Sequence, residues 1–190
     1  EGVPAIREAI AWGINVNVTL LFSIDAYEQS ALAYIEGLEQ RAAAGEDVST
    51  VASVASFFVS RVDTLVDKLL KGKPGEGELR GKAAIANAKL AYERFEQLFS
   101  GPRWDALAAK GARPQRPLWA STSTKDPSFP DTIYMDALIG PHTVNTAPPQ
   151  TIDAFADHGV AVVTVTEGLD DARATLAQLN ALGIRMDAVT

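Results

Sequence analysis

Cysteine is absent from the 190 residues. That excludes disulfides, a thiolate nucleophile and any metal site built on sulfur, and it fits a reducing compartment. Histidine is nearly absent. His142 and His158 lie far apart along the chain, which gives little to a histidine metal centre or a Ser-His-Asp triad. Long apolar runs are missing, and none reaches the ~18 residues of a membrane span. No basic segment followed by an apolar core marks a signal peptide, so the expected location is cytoplasmic. Positive charge is in deficit. With 17 Lys and Arg against 24 Asp and Glu, the formal charge is -7, which argues against nucleic acid and anionic membranes as partners. Phosphate-loop signatures also fail. Gly72-Lys73-Pro74-Gly75-Glu76-Gly77 has no strand before it and contains proline. Gly77-Glu78-Leu79-Arg80-Gly81-Lys82-Ala83 has three residues between its glycines instead of four, and no hydroxyl after the lysine.

What is present is an ordinary globular composition, 47% apolar and 22% charged, on a chain long enough for one domain with a sizeable core. It opens Glu1-Gly2-Val3-Pro4, with no Met and no strand before its first helix. It therefore reads as a piece of a longer protein.

Periodicity predicts alternating strands and helices. A helix over residues 3–12 carries Ile6, Ala9 and Ile10 on one stripe. A strand over 14–22 follows, then an amphipathic helix over 25–43 with Tyr27, Ala31, Tyr34 and Leu38 on one side. Glu36 and Glu39 fall on its solvated face. A second strand is expected over 51–59, then a helix bearing Val62, Leu65, Val66 and Leu69 that ends near Gly72. Residues 71–77 read as a solvated loop. Helices over 81–99 and 102–110 precede a third strand over 116–122. A short helix near 134–139, a brief strand over 143–146, and helices over 150–157 and 168–182 complete the chain. Trp12, Trp104 and Trp119 read as packing residues. The alternation predicts an α/β fold with parallel strands, either a doubly wound sheet or a barrel. A full barrel needs about 250 residues, so four strands in this length make about half of one.

The strand ends carry the chemistry. On the first strand Asn15, Asn17 and Thr19 share one face by alternation, and none is charged. Buried amides need hydrogen-bond partners, so such a face lines a polar cavity. On the second strand Ser56, Phe58 and Ser60 share a face, with Arg61 just beyond. On the third, Ser121, Ser123 and Lys125 fall in register, and the fourth offers Asn145 and Thr146. Arg and Lys among hydroxyl donors make a natural phosphate site.

At these residues the chain resembles the transaldolases, in the branch common among actinobacteria. The matching motifs are Gly13-Ile14-Asn15-Val16-Asn17-Val18-Thr19-Leu20-Leu21-Phe22-Ser23, Ala52-Ser53-Val54-Ala55-Ser56-Phe57-Phe58-Val59-Ser60-Arg61-Val62-Asp63, Leu118-Trp119-Ala120-Ser121-Thr122-Ser123-Thr124-Lys125 and Thr143-Val144-Asn145-Thr146. The resemblance covers essentially the whole chain. It implies a (β/α)8 TIM barrel of the class I aldolase type, of which residues 1–190 hold roughly the second half. It implies transfer of a dihydroxyacetone unit between sugar phosphates through a lysine Schiff base, in the pentose phosphate pathway, with no metal or organic cofactor. By resemblance Asn17 binds hydroxyls of the Schiff-base intermediate, and Thr19 holds the water used in proton transfer. Ser56 and Phe58 line the pocket beside the lysine, Arg61 is the main phosphate ligand and Ser121 the second. Ser123 stands where the better-known branch has another phosphate arginine, and Lys125 is the candidate to supply the missing charge. The Schiff-base lysine itself is expected a few residues upstream of Glu1, so no lysine of this chain is nominated. The implied partners are sugar phosphates, the other half of the barrel and a possible homodimer. The alternative expectation is a non-catalytic half-barrel that at most binds phosphate or pairs with its missing half. A further alternative is another Schiff-base aldolase of the same superfamily.

Overall fold

The computed structural model describes residues 2–190. Helix α1, Gly2–Ala11, ends in a turn at Gly13, whose φ of 81° is disfavoured for a side-chain-bearing residue. Strand β1, Val16–Leu21, leads into α2, Ile24–Ala43. The Ser23 hydroxyl caps α2 by accepting from the Ala26 N–H at 3.1 Å, and Asp25 and Arg41 sit at the ends that suit their charges. Then come β2, Ser53–Phe58, and α3, Ser60–Leu70. A short α4, Glu76–Leu79, precedes α5, Ala83–Leu98, and α6, Gly101–Ala108, which has proline in its first turn. Strand β3, Arg116–Ala120, is followed by α7, Ile133–Ala137, and β4, Val144–Asn145. Helices α8, Pro149–His158, α9, Leu169–Ala181, and α10, Met186–Val189, close the chain.

All neighbouring strands are parallel, and the sheet order is β1-β2-β3-β4. A doubly wound sheet reverses its strand order at a switch point. An unbroken sequential order is instead that of a barrel wall, and the four strands form an arc of a (β/α)8 barrel.

Alternation in β2 and β3 sorts the side chains. Ala55, Phe57 and Trp119 face the helices and join the main core with Tyr27, Val62, Val66, Tyr92 and Phe95. Phe57 meets Tyr27 and Trp119 edge-on, at centroid distances of 6.4 and 6.2 Å. A second cluster, built on Ile10, Tyr34, Leu38, Val51 and Trp104, joins α1, α2 and α6. Helix α1 lies so close to α2 that a Cβ at Gly37 would stand 2.7 Å from both the Arg7 carbonyl oxygen and the Ile10 Cβ.

Several expectations change. Trp104 and Trp119 are packed, but Trp12 is 71% exposed. Glu36 and Glu39 pair with Arg7 and Arg103, tying α2 to α1 and α6. Residues 76–79 of the expected loop region form α4, and α10 adds a last turn. The larger corrections lie at the strand ends. Strand β1 has a bulge. Val18 pairs with Ala55 and Leu21 with Phe57, so both Thr19 and Leu20 stand opposite Ser56. Leu20 takes φ 62°, which ends simple alternation at Thr19. Strand β2 stops at Phe58, and Ser60 and Arg61 belong to α3. Strand β3 stops at Ala120. Ser121, at φ 58°, turns the chain out of strand geometry, so Ser123 and Lys125 lie in a loop and not in register on a strand.

Candidate functional site

The face of the sheet turned away from the helices carries polar residues from Asn17, near the start of β1, to the carboxyl ends of β2 and β3. Register places Asn17 beside Val54, within the row that continues through Ser56 and Phe58 on β2 and Leu118 and Ala120 on β3. The Ser56 hydroxyl, nearly buried, donates to the Asn17 side-chain oxygen at 2.7 Å. That bond fixes the amide and leaves its NH2 without a protein acceptor among the described residues. Asn17 and Thr19 are both exposed on this face. Asn15 has a separate task. Its side-chain oxygen accepts from the Ala52 N–H at 2.8 Å and clamps the start of β1 to the start of β2.

One strand further along, Phe58 stacks near Phe22 at 5.2 Å and carries the Arg61 guanidinium over its ring at 4.8 Å. Arg61 is exposed in the first turn of α3, and no carboxylate pairs with it among the described residues. A free guanidinium held on a ring beside hydroxyls is suited to an anionic oxygen cluster. Ser121 joins this group through α3. The Ser60 N–H donates to the Ser121 carbonyl at 2.9 Å, and the two hydroxyls lie 2.8 Å apart. Two groups result: Asn17 and Ser56, with Thr19 opposite Ser56 across the bulge, and further along the sheet Phe58 with Arg61, whose helix turn is tied to Ser121 through Ser60.

Ser123 and Lys125 lie beside this group in the loop after β3. The Lys125 ammonium donates to the Ser123 hydroxyl. Lys125 also lines a cleft of about 390 Å³ with Asp63, Thr64, Asp67 and Asp126. On β4, the Asn145 side-chain oxygen accepts from the buried Thr122 hydroxyl at 2.7 Å, a packing bond between strand ends.

The remaining titratable groups serve the fold. Lys89 on α5 is the lysine whose ammonium burial depresses, yet it donates to the carbonyls of Thr164 and Glu167 at 2.9 and 2.7 Å on the outer layer. Asp63, 2% exposed, accepts from the Ala84 N–H at 2.7 Å and the Tyr134 hydroxyl at 2.8 Å. Burial pushes its carboxyl up to about 6 despite those donors. His158 sits between Asp131 and Asp157 on the surface. Among the described residues no cluster of three or more His, Cys, Asp or Glu is placed to hold a metal. No described helix is long and apolar enough to cross a membrane. Sequence reasoning missed Ser60 as part of the helix and missed the Leu20 bulge. Neither has a sequence signal: the residue before α3 is Val59, which makes no side-chain cap, and leucine does not announce a bulge.

Comparisons with known proteins show the family. A family model described as Transaldolase/Fructose-6-phosphate aldolase matches residues 1–190. Among curated relatives, a transaldolase of Parafrankia sp. is 61% identical over 189 residues, covering 98% of this chain and 51% of its own length. A transaldolase of Frankia alni is 59% identical and one of Acidothermus cellulolyticus 58%, each aligned over all of this chain and 52% of its own length. The chain thus spans about half the length of these relatives. With the sequential parallel strands and the polar strand ends in place, the chain belongs to the transaldolase/fructose-6-phosphate aldolase family.

Proposed function

We propose that the intact protein is a transaldolase that moves a dihydroxyacetone unit from sedoheptulose 7-phosphate to glyceraldehyde 3-phosphate, giving erythrose 4-phosphate and fructose 6-phosphate. The observation that carries this reading is the arrangement at β2. An unpaired Arg61 guanidinium lies on Phe58 next to Ser121, and the Asn17–Ser56 pair forms a polar wall one step deeper. The spacing suits a sugar phosphate, with its anion at the rim and its hydroxyls and carbonyl inside. The curated relatives named transaldolase support the same reading.

In this reaction a lysine amine adds to the ketose carbonyl and expels water to form an iminium. Loss of the C4 hydroxyl proton then breaks the C3–C4 bond, with the electron pair moving to the iminium nitrogen to give an enamine. Its attack on the acceptor aldehyde forms the new bond, and water releases the product. The Asn17 amide NH2 donates to hydroxyls of the bound intermediate. Thr19 holds the water that carries protons, and Arg61 and Ser121 anchor the phosphate. The reading needs no metal or organic cofactor. The lysine belongs to a strand preceding Glu1, and the exposed Trp12 and Ile14 ahead of β1 and Leu20 within it support covering of that edge by the rest of the barrel.

Borohydride reduction of the intact protein with fructose 6-phosphate tests the reading. It should fix the sugar on one lysine outside residues 1–190. Labelling of Lys89 or Lys125, or of no lysine, overturns it.

A further inference from the structure

The pair of hydroxyls at Ser60 and Ser121 gives α3 a second role. Ser60 is 1% exposed, and its hydroxyl has one partner among the described residues, the Ser121 hydroxyl at 2.8 Å. Ser121 is half-buried, in contrast to Ser60. Either oxygen can act as the donor of this bond, but the surroundings are unequal. If Ser121 donated, the Ser60 proton would be sealed in the interior with no acceptor, which is the costly arrangement. If Ser60 donates, its proton is satisfied and the Ser121 proton remains free at the open side. The backbone enforces the same geometry. Ser121 holds φ 58°, a left-handed conformation uncommon for serine, and its carbonyl accepts from the Ser60 N–H at 2.9 Å. The preceding residue repeats the link, with the Val59 N–H donating to the Ala120 carbonyl at 2.9 Å. Arg61 follows Ser60 directly in the same turn.

We infer that Ser60 is a positioning residue for phosphate specificity: its buried hydroxyl orients Ser121 as a dedicated proton donor to the anion held by Arg61. The inference rests on the reading of Arg61 and Ser121 as phosphate ligands. A hydroxyl committed to donating favours an anionic oxygen over a neutral hydroxyl or water. Ser60 thereby sets selectivity for phosphorylated sugars without touching them.

The test uses the intact protein and two measures, the KM for fructose 6-phosphate and inhibition by inorganic phosphate. Ser60→Ala should raise both the KM and the phosphate inhibition constant about three- to tenfold, with kcat little changed, as expected for a weakened charged hydrogen bond. Ser60→Thr, which keeps the hydroxyl, should restore most of the loss. In the double variant Ser60→Ala with Ser121→Ala, the effect should be no larger than for Ser121→Ala alone, because the first residue acts through the second. If Ser121→Ala weakens phosphate while Ser60→Ala does not, the positioning role fails and the ligand assignment stands. If Ser121→Ala leaves phosphate inhibition unchanged, the ligand assignment fails and the inference goes with it. Additive losses, or a loss confined to kcat, also overturn it.

Discussion

Arg61 illustrates how one side chain is arranged for the phosphate-binding role proposed for it. Its charge is unpaired, its guanidinium rests on the Phe58 ring at 4.8 Å, and its backbone is fixed in the first turn of α3. The cation is thus partly ordered and partly desolvated, so an arriving phosphate need not displace a carboxylate. Hydrogen bonds to charged groups are worth about 1.5–3 kcal/mol. Arg61→Ala should therefore raise the KM for fructose 6-phosphate roughly 10- to 100-fold. Arg61→Lys should recover part of this, because an ammonium keeps the charge and loses the bidentate fork. Steady-state kinetics of the intact protein checks both. An unchanged KM in Arg61→Ala would remove the residue from the site. Asn17 shows the same preparation, since Ser56 at 2.7 Å decides which end of the amide is free.

At the scale of elements, the helices were the legible part. Tyr27, Ala31, Tyr34 and Leu38 recur at helical spacing and are all buried on α2. The strands were legible through their middles, where Ser56 and Phe58 alternate with Ala55 and Phe57 as expected. Legibility failed at two points, and the physical reason is shared. Leu20 and Ser121 both adopt left-handed backbone, which in a sequence is announced by glycine or asparagine and not by leucine or serine. Each interrupts strict alternation, so Leu20 joins Thr19 on one face and Ser123 and Lys125 leave the strand. Asn17 lies before the break in β1, so alternation places it on the face read from the sequence. The approach of α1 to α2 was also silent, since a glycine in a helix reads as a weakness and not as a contact. At Gly37 it is a contact. Gly37→Ala gains up to about 1 kcal/mol in helix propensity. The new Cβ, however, would press on the Arg7 carbonyl oxygen and the Ile10 Cβ at 2.7 Å. Overpacking against groups that cannot rotate away costs about 1–3 kcal/mol. The clash outweighs the gain in propensity, and Gly37→Ala should lower Tm by a few degrees, roughly 2–4 °C per kcal/mol for a chain of this size. An unchanged or higher Tm in thermal unfolding would show that α1 yields freely.

At the scale of the whole molecule, Asp63 links what the barrel wall alone does not. It stands on α3, accepts from the first turn of α5 through Ala84, and accepts from α7 through Tyr134. Helix α3 carries Arg61, so this carboxylate fixes the helix that presents the proposed phosphate ligand. The link has a pH signature. Burial raises the Asp63 carboxyl from 3.8 to about 6, outweighing the two hydrogen bonds that oppose it. A raised carboxyl means that the folded chain binds the proton more tightly than the unfolded chain does. Its stabilising contribution is complete below about 3.8 and is lost as pH rises through about 6. Across that window the loss is on the order of 2–3 kcal/mol. Other groups titrate in the opposite sense. Glu28, Glu39 and Asp126 are held low by arginine or serine donors, so their contribution fades on acidification. The Asp63 effect is therefore read as a difference between the protein and its Asp63→Asn variant. An amide there can accept from the Ala84 N–H and donate to the Tyr134 hydroxyl without carrying charge. Denaturant unfolding of both proteins from pH 4 to 7.5 should show the native protein losing stability relative to the variant between pH 4 and about 6, with little further change above. A flat difference would mean that the donors offset burial fully, and one that grows in favour of Asp63 as pH rises would mean that they outweigh it; either outcome overturns the prediction.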